Sequence, residues 1–222
     1  MQRAPKPLEI VVYQDVLCAW CYVAERRLEI LRQEFGQAIR WTSRPYALRL
    51  KEATPSPQEL HDWVEDLERA RREPEGRELS KDLWMSADPP RSSVPALAAL
   101  EAARLQGTNV AAQLARCMQR AALQHGLNVA RADVALELAS SVGLDMNRFS
   151  AAWQSPETRK LVLEEHRLAS TRGVKGVPTL VIGGRWMLSG LRGTREYRRH
   201  ILDCLGKFDR GDVDPGSPRI LH

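Results

Sequence analysis

Two hydrophobic rhythms alternate along the chain. Leu8-Glu9-Ile10-Val11-Val12-Tyr13 is a short run of β-branched, aliphatic and aromatic residues bounded by polar ones, the pattern of a strand. From about Ala19 to Phe35 the spacing turns helical, with Leu28, Ile30, Leu31 and Phe35 as its apolar side and Gly36 as a natural C-terminal cap. A second strand follows from Ala38 and ends around Pro45. Strand, helix and strand in that order make one βαβ unit, with parallel strands and a right-handed crossover.

From Pro57 to about Gly173 the pattern is helical, without a convincing strand. Leu60, Trp63, Val64, Leu67 and Ala70 form one stripe, and Val110, Leu114, Cys117 and Ala121 form another. The residues from Ser80 to Arg91 read as a partly irregular connection. Ser93 is the expected cap of a helix with Pro95 in its first turn, and Thr108 or Asn109 of the next. Further helices are expected from Asp133, from an Asp145 cap, and from Ser155-Pro156-Glu157. After Gly173 the strand rhythm returns in Val177 to Ile182 and in Arg185 to Ser189, with Gly183-Gly184 as a tight hairpin turn between them. Thr194 then opens a last helix ending near Leu205. The expected architecture is α/β, a mixed sheet with helices on its faces and a helical cap. Residues 1–56 and 174–208 form one domain, 57–173 an all-helical insertion, and 209–222 a flexible tail rich in Pro and Gly.

The chain has 222 residues, a length that suits one core fold with a large insertion. Hydrophobic residues make up 43% and charged residues 27%, a globular balance, and the net charge is +5. Arginine and glutamate are interspersed with no concentrated basic block, which argues against nucleic acid as a partner. No stretch approaches the roughly 20 apolar residues that span a bilayer, so no membrane partner is expected. The first residues, Met1 to Pro7, hold no apolar signal core, which points to the cytoplasm. In that compartment four cysteines are a poor structural framework, and a close pair suggests catalysis or metal binding.

Such a pair is Cys18-Ala19-Trp20-Cys21, set where the first strand hands over to the first helix. Free backbone N–H groups and the positive end of the helix dipole favour an anion there, and thiolate is the reactive form of cysteine. Ala19 and Trp20 add no positive side chain, so the helix N-terminus carries most of that effect. Cys21 lies three positions on, on the same side of the helix, and can attack a mixed disulfide on Cys18 to close a ring. Cys18 is therefore the candidate nucleophile, exposed, and Cys21 the resolving cysteine, more buried. A structural zinc would need four ligands, and no second pair is offered. Simple packing of two thiols explains the placement poorly.

The run Asp15 to Tyr22, the stretch Trp41 to Leu48, the alanine-rich segment Ser92 to Gly107, and Gly173-Val174-Lys175-Gly176-Val177-Pro178-Thr179 leading to Ser189-Gly190 together resemble the DsbA family of thiol–disulfide oxidoreductases. Within it the match is to the FrnE-like branch, related to 2-hydroxychromene-2-carboxylate isomerases and kappa-class glutathione transferases. The resemblance covers roughly residues 8 to 205 and implies a thioredoxin-like fold with a helical insertion. Two positions depart from the branch: Ala19 stands where proline is usual, and Leu191-Arg192 where Ala-Gln is common. Both lie near the implied site and bear on redox potential and substrate preference.

The resemblance implies that Pro178 is a cis proline facing the cysteine pair. Proline supplies no N–H, and Val177 before it could offer its backbone N–H and C=O to an extended peptide. A trans proline opening an edge strand is the plainer reading. Trp20, between the cysteines, is expected at the rim of the site. Glu25 could relay a proton to Cys21, against the plainer reading of a solvated helix face. Cys117 and Cys204 read as core thiols, and His61, His125, His166 and His200 as surface or capping residues. Trp63, Trp84 and Met85 suit either core packing or the groove between cap and core. The function implied is exchange of disulfides with protein thiols, without metal or bound organic cofactor and with glutathione as a redox partner, by a monomer or homodimer. The rival functions are a glutathione-dependent isomerase or transferase on a small aromatic substrate, and a non-enzymatic binding or chaperone module.

Overall fold

The computed structural model describes residues 7–209 and 219–221. Strand β1 (Leu8–Gln14), helix α1 (Ala19–Phe35) and strand β2 (Ile39–Pro45) form the expected βαβ unit, with β1 and β2 parallel. Then come helices α2 (Pro57–Ala70), α3 (Asp82–Met85), α4 (Val94–Arg104), α5 (Thr108–Leu123), α6 (Ala132–Ser141), α7 (Met146–Gln154) and α8 (Pro156–Thr171). The chain returns to the sheet through β3 (Thr179–Ile182) and β4 (Trp186–Ser189), and α9 (Thr194–Asp209) follows. Gly183 and Gly184 both take positive φ, 58° and 72°, as the type I′ hairpin turn demands of its two central residues. The described residues form a five-stranded sheet in the order β2-β1-β3-β4-β5, antiparallel at β1–β3 and β3–β4.

Strand β5 (Arg219–Ile220) corrects part of the expected flexible tail: it pairs in parallel with β4, Trp186 against Arg219 and Met187 against Ile220. Residues 210–218 and 222 of that tail lie outside the described residues.

Three apolar clusters fill the interior of the described residues, and α1 belongs to two of them. Leu28 and Leu31 pack against Leu8, Ile10, Leu180, Leu188 and Ile201 under the sheet. The first turns of the same helix contribute Ala19, Tyr22 and Val23 to a cluster built chiefly from the insertion, around Leu97, Leu114, Met118 and Phe149. Ile30 is a correction to the expected apolar side: it is 51% exposed, because it falls between the positions that repeat every three or four residues.

The capping of α4 differs from expectation in an instructive way. Ser93 has helical backbone angles and makes no capping bond to the helix. The Ser92 hydroxyl accepts from the Val94 N–H at 3.1 Å and donates to the Arg49 carbonyl at 2.8 Å. Ser93 is thereby left free for a role at the site. Gly107, not Thr108 or Asn109, takes the cap position of α5, while Asp145 and Ser155 cap α7 and α8 as expected. Ser92→Ala is expected to lower stability by about 1 kcal/mol, the usual cost of a lost cap. Urea unfolding checks it, and an unchanged midpoint would count against this assignment.

Candidate active site

Sequence dictates where the cysteine pair falls. The apolar run of β1 ends at Gln14, and Asp15-Val16-Leu17 turns the chain into α1, with the Cys18 N–H bonded to the Asp15 carbonyl at 3.2 Å. Cys18 takes the N-cap position in extended backbone conformation (φ −89°, ψ 115°). Its sulfur accepts from the Cys21 N–H at 3.3 Å, so the thiol satisfies one of the orphan donors of the first turn. The two sulfurs are not joined by a disulfide bond.

Opposite stands the loop before β3. The Val177–Pro178 peptide is cis, and the Cys18 thiol donates to the Val177 carbonyl at 3.7 Å. The loop is held by the Thr179 hydroxyl bonding to the Gly176 carbonyl at 2.7 Å and by the Gly190 N–H bonding to the Pro178 carbonyl at 2.8 Å. Cys18, Cys21, Val177 and Pro178, far apart in sequence, are thus brought together. Trp20 is half-buried rather than free at the rim, packed against the helical cluster.

Cys18 is less open than expected. It is 5% exposed and Cys21 is 1% exposed, and Trp63 of α2 and Trp84 of α3 line the pocket beside Cys18. The order of accessibility is still the one expected, but the difference is narrow. Burial pushes the Cys21 thiol well above its ordinary value, and its contact with Cys18 pushes in the same direction. An N–H from Asp15 opposes the rise.

Asp15 is the site residue that sequence reasoning missed. Its side chain is fully buried and accepts from the Leu17 N–H at 2.9 Å and from the Leu48 N–H at 2.8 Å. The Ser93 hydroxyl supplies a third bond. One carboxyl therefore ties the loop before Cys18 to the segment after β2 and to the start of α4. Burial raises its pKa against the pull of those donors, and its charge acts on Cys21. The available signal was an acid placed between the apolar run Ile10–Tyr13 and Val16-Leu17, where a solvated carboxylate has no reason to be. Tyr197 closes the other side: burial pushes its hydroxyl up to about 12, and Cys21 adds to the shift.

The remaining candidates lie elsewhere or carry other duties. Glu25 is neither a relay to Cys21 nor a solvated side chain: it holds Arg32 through bonds of 2.7 and 3.0 Å. Cys204 is buried and its thiol is pushed up to about 11, as suits a core residue, whereas Cys117 is only half-buried. His200 is buried, contrary to the surface placement expected of it, while His61 and His125 are exposed and His166 is half-buried. Met85 is 66% exposed, and Trp84 packs on Trp63 with ring centroids 4.8 Å apart. Among the described residues no cluster of three metal-ligating side chains occurs, and no helix is long and apolar enough to cross a membrane.

Comparisons with known proteins agree with this fold. The family model of the DSBA-like thioredoxin domain matches residues 9–201. Among curated proteins, the ClpXP adapter protein SpxH of Bacillus subtilis is 30% identical over 177 residues, which is 79% of this chain and 58% of that protein. The chain thus spans rather more than half the length of that relative. A solved structure of a candidate protein disulfide isomerase from Nitrosomonas europaea superposes with TM-score 0.75 at 20% identity, covering 92% of this chain and 98% of the other. The cytosolic disulfide reductase DsbM from Pseudomonas aeruginosa gives TM-score 0.67 at 24% identity, again covering 92% and 98%. At those identities the structural likeness speaks for the fold.

Proposed function

The chain belongs to the DSBA-like thioredoxin domain family, and from that premise we propose that it exchanges disulfides with protein thiols through Cys18 and Cys21. The observation that carries this reading is the convergence on one sulfur: the Cys18 thiol takes the Cys21 N–H at 3.3 Å and faces the Val177 carbonyl at 3.7 Å. The Cys18 thiolate attacks one sulfur of a substrate disulfide, forming a mixed disulfide and expelling a substrate thiolate that takes up a proton. Cys21, losing its own proton, then attacks the Cys18 sulfur. That step closes the Cys18–Cys21 disulfide and releases the second substrate thiol, so two electrons have passed to the substrate. Oxidation of a substrate dithiol is the same path reversed. The Val177 backbone offers an extended substrate main-chain bonds beside the sulfur, and Pro178 leaves no competing N–H. Trp20 supplies apolar contact at the edge. We place the protein in the cytoplasm, where thiols are kept reduced and a reductase or isomerase role fits. No metal or bound organic cofactor takes part, and glutathione serves as electron donor.

Insulin reduction with glutathione or dithiothreitol tests the reading. The wild-type protein accelerates it and Cys18→Ser does not; equal rates would overturn the assignment. The name of the Bacillus relative favours one other reading, a protein-binding adapter without redox turnover. That reading requires partner binding to survive Cys18→Ser and the wild-type protein to leave insulin intact. A glutathione-dependent isomerase or transferase would have no use for the second cysteine, and its activity would survive Cys21→Ala.

A further inference from the structure

Arg27, in the middle of α1, is buried, and its guanidinium joins three separate stretches of chain. Nε and Nη2 donate to the two oxygens of Glu75 at 3.0 and 2.9 Å, and Nη2 also reaches Glu73. Nη1 donates to the Arg192 carbonyl at 3.0 Å, in the loop between β4 and α9. We propose that Arg27 is a positioning residue for disulfide exchange: through that loop it fixes the Val177–Pro178 segment against Cys18, where a substrate main chain is received. The inference rests on the disulfide-exchange reading and adds to it what keeps the two halves of the site in register.

Connectivity is the first argument. The loop that Arg27 holds is bonded directly to the Pro178 segment. The Gly190 N–H donates to the Pro178 carbonyl at 2.8 Å, and the Thr179 and Ser189 hydroxyls meet at 3.3 Å. The Gly190 carbonyl accepts from the Tyr197 hydroxyl at 3.3 Å, and that oxygen also feels the Arg192 N–H. A short relay therefore runs from Arg27 through Arg192, Tyr197 and Gly190 to Pro178.

Surplus is the second. Glu73 and Glu75 already balance the charge of Arg27 and tie the insertion to α1, so the bond to Arg192 is not needed for either purpose. A guanidinium is a planar fork whose N–H groups point in fixed directions. Seating one edge of it on both oxygens of Glu75 aims Nη1 at the loop, as an ammonium on a flexible stem would not be aimed.

Distance from the chemistry is the third. Cys18 caps the helix that carries Arg27, with the two positions about 13 Å apart along its axis. Burial, Cys18 and Asp15 set the state of Cys21. Arg27 thus acts on the spacing of the site and not on its sulfurs. A peptide that bonds to the Val177 main chain while its own sulfur meets Cys18 needs both contacts at once. A disulfide without a main chain needs only the sulfur.

The test uses full-length protein, glutathione as reductant with the uncatalysed rate subtracted, and two substrates. One is the disulfide-linked dimer of a short peptide with one internal cysteine; the other is hydroxyethyl disulfide, which has no main chain to dock. Arg27→Met alone would strand two carboxylates, so it is made in Glu73→Gln/Glu75→Gln protein, with that double variant as the reference. Adding Arg27→Met is expected to lower the ratio of kcat/KM for the peptide to kcat/KM for hydroxyethyl disulfide by about tenfold, the scale of one lost hydrogen bond, with the loss lying in the peptide KM. The reference, which keeps the Arg192 contact, should show the wild-type ratio. Tyr197→Phe cuts the relay one step on without removing a charge; it is expected to lower the ratio in the same way, and it decides the matter should the Arg27→Met protein not fold. A parallel loss on both substrates would mean that Arg27 only holds the fold, and a lowered ratio in the reference would assign the effect to the insertion. Either result, or an unchanged ratio on adding Arg27→Met, overturns the proposal. If the wild-type protein reduces both substrates and the ratio does not move, only the role of Arg27 falls; if it reduces neither, the exchange reading falls and this role with it.

Discussion

Cys21→Ala is expected to stall the protein as a covalent adduct with its substrate. Without the second sulfur nothing within the chain can attack the mixed disulfide on Cys18. Cys204 is buried in the cluster beneath the sheet, and Cys117 sits on α5 within the insertion. Turnover is expected to fall to the rate at which an external thiol reaches the adduct. The external thiol must approach Cys18 from outside, where the sulfur is 5% exposed, whereas Cys21 stands beside it within the chain. Mass spectrometry without reductant, after mixing Cys21→Ala with a thiol-bearing protein in oxidising buffer, should show the sum of the two masses less two hydrogens, reversible by dithiothreitol. The double variant Cys18→Ser/Cys21→Ala should show none. Wild-type turnover by Cys21→Ala would mean that Cys21 does not resolve the intermediate.

Asp15→Ala is expected to give the largest loss of stability tied to the site. It strips the acceptor from the Leu17 N–H, the Leu48 N–H and the Ser93 hydroxyl. A buried donor left unpaired costs roughly 1–3 kcal/mol, so the three together come to about 3 kcal/mol or more, less whatever is regained by removing a buried carboxyl. Asp15→Asn keeps one acceptor but turns an NH₂ group towards a backbone N–H, and should lose roughly half as much. Because burial outweighs the donors, the carboxyl sits above its ordinary 3.8 and the folded state favours the protonated form. That contribution is complete below pH 3.8 and is lost as pH rises through the folded-state value. The stability gap between wild type and Asp15→Asn is therefore widest in acid and narrows towards neutrality. Urea midpoints at several pH values measure it, and a gap that widens with pH would reverse the assignment.

The elements and the closeness of Cys18 and Cys21 were legible because they are written locally. A strand of alternating burial, a helix of three-and-four spacing and a Gly-Gly turn each announce themselves within a few residues. So does a thiol at a strand–helix junction. What escaped depends on chain brought from afar. Asp15 meets Leu48 and Ser93 only once β2 and α4 are in place, and no pattern near Asp15 names those partners. The near-burial of Cys18 belongs to the assembled fold, in which Trp63 and Trp84 from separate helices line the pocket beside it. Ser92 rather than Ser93 caps α4 because Ser93 is drawn to Asp15 and to the Arg49 N–H, a competition that neighbouring sequence does not display. Strand β5 is too short to register as a strand and exists through its pairing with β4.

Helix α1 is divided between two interiors, with Ala19, Tyr22 and Val23 in one and Leu28 and Leu31 in the other. A trimmed version of this protein, with 57–173 replaced by a short tether, would therefore not be a smaller enzyme. It would expose a phenol ring and an isopropyl group in the first turns after Cys18, and those surfaces would have to be redesigned as polar before such a miniature could remain dispersed in water.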